Sequence, residues 1–100
     1  MTEERDGNAS EEPVELPIED FLDLHPFRPK EILEVVDSYL EAAVEHGWRE
    51  VRLIHGKGTG FQRDRIQQRL RDHPLVESFR DAPASRGHWG ATVVHLKAAE

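Results

Sequence analysis

Hydrophobic positions come in short blocks separated by polar and turn-forming stretches, and the spacing changes from block to block. Leu22-Asp23-Leu24-His25 alternates, which puts Leu22 and Leu24 on one face of a strand and Asp23 and His25 on the other. Pro26 and Pro29 stop this strand and prepare a helix start. From Pro29 to about His46, the apolar residues Ile32, Val35, Val36, Tyr39, Leu40 and Ala43 follow helical spacing, with Gly47 placed as a C-cap. Val51–Ile54 reads as a short strand. Phe61, Ile66 and Leu70 then give a second helix a narrow apolar stripe that ends before Pro74. Val76–Asp81 and Ala91–Leu96 read as two more strands, joined by a loop, 82–90, rich in turn formers.

The predicted order is β-α-β-α-β-β. Strand–helix–strand units imply parallel neighbours joined by right-handed crossovers, and an antiparallel final pair makes the sheet mixed. The expected fold is an α/β two-layer sandwich with a four-stranded mixed sheet and two main helices. Residues 1–19 are polar and acidic, with too little apolar surface to offset ordering entropy, and read as a disordered tail before a domain spanning 20–100.

Composition and charge narrow the chemistry. The 100 residues include no cysteine, which excludes disulfides and thiolate metal sites. No apolar run approaches the length of a membrane span, so a cytoplasmic protein is expected. The net charge of −7 is unevenly spread. Residues 1–20 hold eight Asp/Glu against one Arg, whereas residues 21–100 hold twelve of each sign. Within that neutral part, Arg52–His73 carries six Lys/Arg against two Asp, and Phe21–Glu50 carries three against seven. An acidic tail thus precedes a basic centre, an asymmetry that bears on partners rather than on fold.

The basic centre opens with His55-Gly56-Lys57-Gly58-Thr59-Gly60, between a strand and a helix. Three glycines in five positions let the backbone take positive φ and approach a ligand closely. A turn feeding a helix N-terminus directs free N–H groups and the positive end of the helix dipole at one spot, which suits phosphate. The spacing matches neither a P-loop nor a dinucleotide fingerprint. The alternative is a tight turn that only packs. Arg65 and Arg69 share one face of the following helix, where they meet either phosphate or solvent. Asp23 and His25, two apart on a strand, form either a carboxylate-oriented general base or a structural hydrogen bond. Trp89 either stacks on a base or folds into the core, and Trp48 is expected to pack beneath the first helix. Asp23, His25 and His55 are suitable ligand types for Mg²⁺ or Mn²⁺, yet no spacing is diagnostic and no fixed metal is assigned.

Three motifs together resemble the Smr (small MutS-related) domain family. Leu22-Asp23-Leu24-His25 is similar to its LDxH signature, His55–Gly60 to its HGxGxG loop, and Gly87–Val94 to its third motif, a glycine-rich loop entering the last strand. His88 stands where that motif usually has a second glycine. The resemblance covers roughly residues 20–97, is closest to the stand-alone type, and implies the same β-α-β-α-β-β sandwich. It also implies DNA or RNA binding and, in several members, endonuclease activity. Carried over motif by motif, it makes Asp23, His25 and His55 the catalytic candidates. Gly56, Lys57, Gly58, Thr59 and Gly60 become the phosphate-binding candidates, joined by Arg65, Arg69 and Trp89. The expected activity is nicking or cleavage of a phosphodiester. The alternatives are a non-catalytic nucleic-acid-binding module and a protein-interaction module that engages a partner through its acidic tail.

Overall fold

The structure is a computed structural model describing residues 18–86 and 88–98, without the side chain of Trp89. The tail expected to be disordered falls, up to residue 17, outside the described residues. So does the side chain expected to stack at Trp89.

Strand β1, Phe21–Asp23, is shorter than the alternation predicts. Pro26 has no N–H for a ladder, and the Asp23 carboxylate takes the His25 backbone N–H at 3.0 Å, so the chain leaves the sheet early. A 3₁₀ turn at Pro29–Glu31 leads into helix α1, Ile32–Glu45. Ile32, Val36, Tyr39, Leu40 and Ala43 form its buried stripe, as the helical spacing predicts. Gly47, at φ +86°, ends it: its N–H bonds Val44 O at 2.9 Å and the Trp48 N–H bonds Ala43 O at 3.1 Å. These are the two bonds of a Schellman cap, in which the left-handed residue is nearly always glycine. Trp48 packs against the core as expected. Strand β2, Glu50–Ile54, helix α2, Phe61–Arg71, strand β3, Val76–Asp81, and strand β4, Ala91–Leu96, follow.

The four strands form one mixed sheet in the order β1-β2-β4-β3. β1 runs parallel to β2, while β4 is antiparallel to both β2 and β3. The expectation of parallel neighbours holds for β1 and β2 but not for β2 and β3. β4 inserts between them, because its Ala-Thr-Val-Val-His-Leu run, buried at five of its six residues, belongs at the sheet centre. The more polar β3 takes the edge.

Both helices lie on one face. Val51 and Leu53 of β2 and Val94 and Leu96 of β4 meet Leu40, Ile66 and Leu70 in the main core. Asp37 of α1 ties the helices together, accepting two bonds from Arg69 and lying 3.2 Å from His73 Nε2. The opposite face carries a small cluster of Ala82, Ala91 and Val93 with Ile54 at its edge.

Leu40 is fully buried, so Leu40→Ala should destabilise by about 2–5 kcal/mol, the range for deleting a buried leucine side chain. Gly47→Ala, which forces a Cβ into the left-handed region, should cost about 1–2 kcal/mol. Urea unfolding checks both; a Gly47→Ala midpoint equal to wild type would rule out the strained cap.

Candidate functional site

The register decides what meets what. Asp23 of β1 pairs with Ile54, the last residue of β2, and Ile54 also pairs with Ala91, the first residue of β4. The end of the first motif, the start of the glycine loop and the point where the third motif enters β4 therefore share one edge of the sheet, the convergence that parallel β1 and β2 strands imply. Backbone bonds hold them there. The Leu24 N–H bonds Ile54 O at 2.9 Å, and the Gly90 carbonyl accepts from His55 N–H at 3.1 Å and Gly56 N–H at 2.8 Å.

Contact at Gly56 is close. Its φ is +82°, and a Cβ there would lie 3.0 Å from His25 Nε2, so a side chain would meet the imidazole. A Cβ on Gly90 would lie 3.2 Å from Lys57 Cγ, so Lys57 packs along the start of the third segment. His88 has φ +50°, the left-handed conformation that suits the glycine usual at this point of the third motif, and its N–H bonds Pro83 O at 2.9 Å.

Asp23 Oδ1 accepts from the His25 backbone N–H and lies 2.7 Å from His25 Nδ1. These bonds, the backbone one first, hold the Asp23 carboxyl below its usual value. An ionised carboxylate only accepts, so Nδ1 carries the proton and the neutral ring presents the Nε2 lone pair beside Gly56. Both side chains are more than half exposed, so the pair is open to a substrate.

His55 occupies a different place from the one its motif suggests. It was expected as a second proton-transfer candidate, but it is buried and both ring nitrogens are engaged. Nδ1 lies 3.0 Å from Gly56 O, an acceptor, so Nδ1 donates. Nε2 therefore accepts, from the Thr92 hydroxyl at 2.8 Å. Thr92 Oγ1 in turn takes a bond from Gln67 Nε2 at 3.1 Å, and Gln67 also donates to Asp81 Oδ1 at 3.1 Å. Asp81 is held by both arms of Arg63, at 3.0 and 2.9 Å. Burial lowers the affinity of His55 for a proton, and the nearby Arg63 charge adds to this against the pull of the Gly56 carbonyl. His55 is thus a neutral brace behind the loop.

Gln67, Thr92, Asp81 and Arg63 were not singled out from the sequence. The one available signal is Thr92, a polar residue on the strand face it shares with Val94 and Leu96, which requires a buried partner.

The loop itself leads into α2 through Gly60, with the Phe61 N–H reaching Thr59 Oγ1 at 3.4 Å. No protein acceptor among the described residues meets the amides of Gly58, Thr59, Gln62 or Arg63. Gly58, Thr59 and Gln62, with His55, Gly56 and Lys57, line a cleft of about 260 Å³ at the helix N-terminus. Phe61 was expected in the apolar stripe of α2 but is 62% exposed at the rim of this cleft, because at about 100° per residue it stands about 140° around the helix from Ile66 and about 180° from Leu70. The Arg65 guanidinium sits 5.5 Å from the Phe61 ring centroid and donates to Pro29 O at 3.1 Å. Arg69, one turn further along, is paired with Asp37 and is not gathered with the loop.

The residues named for Mg²⁺ or Mn²⁺ do not form a chelate. Asp23 spends Oδ1 on His25, and His55 spends both nitrogens on its neighbours. Among the described residues, no three His, Asp or Glu side chains are grouped to hold a metal ion.

An LDxH strand end, a glycine loop braced by a buried histidine and a glycine-rich entry to the last strand meet at one edge of an α/β sandwich. The Smr domain model matches residues 22–97, and the chain belongs to that family. It is 50% identical over 62 residues to endonuclease MutS2 of Caldicellulosiruptor saccharolyticus, and 43% identical over 76 residues to that of Staphylococcus epidermidis. These matches cover 62% and 76% of the chain but only 8% and 10% of the relatives, so the chain corresponds to about a tenth of each. The crystal structure of the Smr domain of Thermus thermophilus MutS2 superposes with a TM-score of 0.74 at 45% identity, over 77% of this chain and 96% of that one. YdaL, a stand-alone small MutS-related protein from Escherichia coli, superposes with a TM-score of 0.74 at 28% identity, over 81% of this chain and 66% of that one. No helix among the described residues is long and apolar enough to cross a membrane.

The His55 brace has a stability signature. Its affinity for a proton is lower folded than unfolded, so its contribution is fully present above the ordinary histidine value of 6.5 and is lost as pH falls below it. Thermal unfolding from about pH 7.5 down to 5.5 should show a falling midpoint, with a shallower fall in His55→Asn. Thr92→Val, which removes the hydroxyl donor, should cost about 1–3 kcal/mol. Identical pH slopes for wild type and His55→Asn would eliminate the buried neutral imidazole.

Proposed function

We propose that this Smr domain binds DNA or RNA through its sugar–phosphate backbone and cleaves a phosphodiester held in the glycine loop. The observation that carries the reading is His25 Nε2, its lone pair set by Asp23, standing against Gly56 at the edge of a cleft of unpaired amides. The endonuclease names of the MutS2 relatives and the Lys57 ammonium beside the cleft point the same way.

In this reading the amides of the loop and of the first turn of α2, with the Lys57 ammonium, hold the non-bridging phosphate oxygens. They stabilise the extra charge that develops as the nucleophile adds. His25 Nε2 takes the proton of the attacking water, or of the neighbouring 2′-hydroxyl in RNA. The new P–O bond forms as the P–O bond to the leaving sugar oxygen breaks, and solvent protonates that oxygen. Asp23 keeps the imidazole in the productive tautomer and stabilises the imidazolium. The exposed ring of Phe61 provides a stacking surface for an unpaired base.

One observation favours a second reading, binding without cleavage. Of the two histidines proposed for proton transfer, His25 alone has a ring nitrogen open to a substrate, so these two do not fill both the acid and the base role.

The two readings separate in an assay on single-stranded, duplex and branched DNA and on RNA, with and without Mg²⁺ or Mn²⁺. Asp23→Asn and His25→Ala should lower cleavage by about 100-fold or more while leaving circular dichroism unchanged, and Lys57→Ala should weaken binding. Wild-type-level cleavage in both Asp23→Asn and His25→Ala would sink the catalytic assignment. Salt-sensitive binding by a wild type that never cuts would establish the second reading.

We further propose that the acidic segment, opposite in charge to Arg52–His73, competes with nucleic acid for the basic surface. Deleting residues 1–19 should then tighten binding at low salt. Unchanged affinity would leave the segment to a basic protein partner.

A further inference from the structure

The two helices cover one face of the sheet, and β2 leaves one basic side chain on the other. Val51 and Leu53 point into the main core, so Arg52 between them points to the open face. Its guanidinium lies over the Phe21 ring, 5.5 Å from the centroid. Its Nε is fully buried with no hydrogen-bond partner, and no carboxylate among the described residues pairs with it. Arg63 and Arg69, by contrast, each hold an aspartate with two bonds. Leaving a buried guanidinium N–H unpaired is costly, so Arg52 is held in place without a protein acceptor for its charge.

Arg52 forms one wall of a groove of about 420 Å³. The other walls include Lys57 from the glycine loop and Ser85 and Arg86 from the 3₁₀ turn Ala84–Arg86. Three cations and a hydroxyl face this space, and among the described residues its lining includes no carboxylate. Three like charges around one concavity repel each other and attract an anion, and a concave, low-dielectric wall concentrates their field.

The groove adjoins the glycine-loop cleft, since Gly56 and Lys57 line both. A chain of linked phosphates can therefore occupy the two at once, whereas an isolated anion would need only one. We infer that the Arg52–Lys57–Arg86 groove seats a second backbone phosphate of the strand whose neighbouring phosphate is held in the glycine loop. The inference rests on the nucleic-acid reading of that loop. It gives the strand a path from the helix N-terminus across the end of β2 onto the uncovered face of the sheet. The guanidiniums grip the backbone and leave the bases outward, so the groove contributes affinity and register without base sequence.

The test uses the full chain and fluorescence anisotropy with labelled single-stranded DNA and RNA, from about 50 to 300 mM KCl. Arg52→Gln and Arg86→Gln are each compared with Lys57→Ala and with Arg71→Gln, which stacks on Phe79 away from the groove. Each lost phosphate contact should reduce the slope of log affinity against log salt by about 0.7 and weaken binding about 5-fold near 0.1 M salt. Arg71→Gln should leave the slope unchanged. If Arg52→Gln fails to fold by circular dichroism, Arg86→Gln, on an exposed turn, carries the test alone. Slopes unchanged in the groove variants while Lys57→Ala lowers affinity would overturn the groove and leave the loop reading intact. Tighter binding in the groove variants would overturn it too, identifying the acidic segment as the occupant. A wild type with no salt-dependent binding would overturn both.

Discussion

The parallel pairing of β1 with β2 is the constraint on which the site depends. A right-handed crossover through α1 brings the two strands side by side in the same direction, so both end at the same edge of the sheet. β4 enters at that edge because it runs antiparallel to β2 and begins opposite Ile54. A shift of one residue in this register would turn Leu22 and Leu24 away from the core and carry Asp23 and His25 under the helices. Burial of those leucines against α1 therefore also holds the catalytic candidates in the open. The energy that fixes the site is hydrophobic, although the site itself is polar.

The site is rigid for a second reason: its polar groups satisfy one another in a chain. Arg63, Asp81, Gln67, Thr92, His55 and the Gly56 carbonyl are linked donor to acceptor, running from α2 through β3 and β4 to the loop. Each member is needed because a buried polar group without a partner costs about 1–3 kcal/mol. The chain holds Gly56 where it meets His25, and the Asp23 carboxylate sets which nitrogen of His25 faces it. The two histidines of the signature motifs thus divide the work. His25 faces solvent with a free lone pair, and His55 holds the loop from behind. In the proposed reading, a phosphate at the cleft would meet amides that are already oriented, which is the condition for electrostatic stabilisation without reorganisation.

Arginine positions illustrate how little a count of charges conveys. The basic stretch from Arg52 to His73 suggests one continuous binding surface, but tertiary contacts divide it. Arg63 and Arg69 are used within the protein, by Asp81 and Asp37, and Arg65 bridges Phe61 and the Pro29 carbonyl. Arg52, the first of the stretch, points the other way and meets Lys57 and Arg86 across a groove. A guanidinium that already holds a carboxylate in two bonds has little left for phosphate, so the pairing pattern decides which cations remain for a ligand.

The elements were legible in the sequence because each is set by local physics. Alternation placed the strands, helical spacing placed the buried stripe of α1, and Pro26, Pro29, Gly47 and Pro74 marked the boundaries. The glycine loop and the Asp23–His25 pair were legible for the same reason, since the conformations and contacts they require lie within a few residues. What tertiary structure decided depends on residues distant in the chain. The insertion of β4 between β2 and β3 follows from which strand is most apolar relative to its neighbours. The burial of His55 depends on Thr92 and Gln67, the pairing of Arg69 depends on Asp37, and the groove at Arg52 depends on a turn thirty-odd residues later. A histidine beside a glycine reads the same in sequence whether it faces solvent or a threonine hydroxyl. Only packing, which sums burial over the whole chain, distinguishes the two.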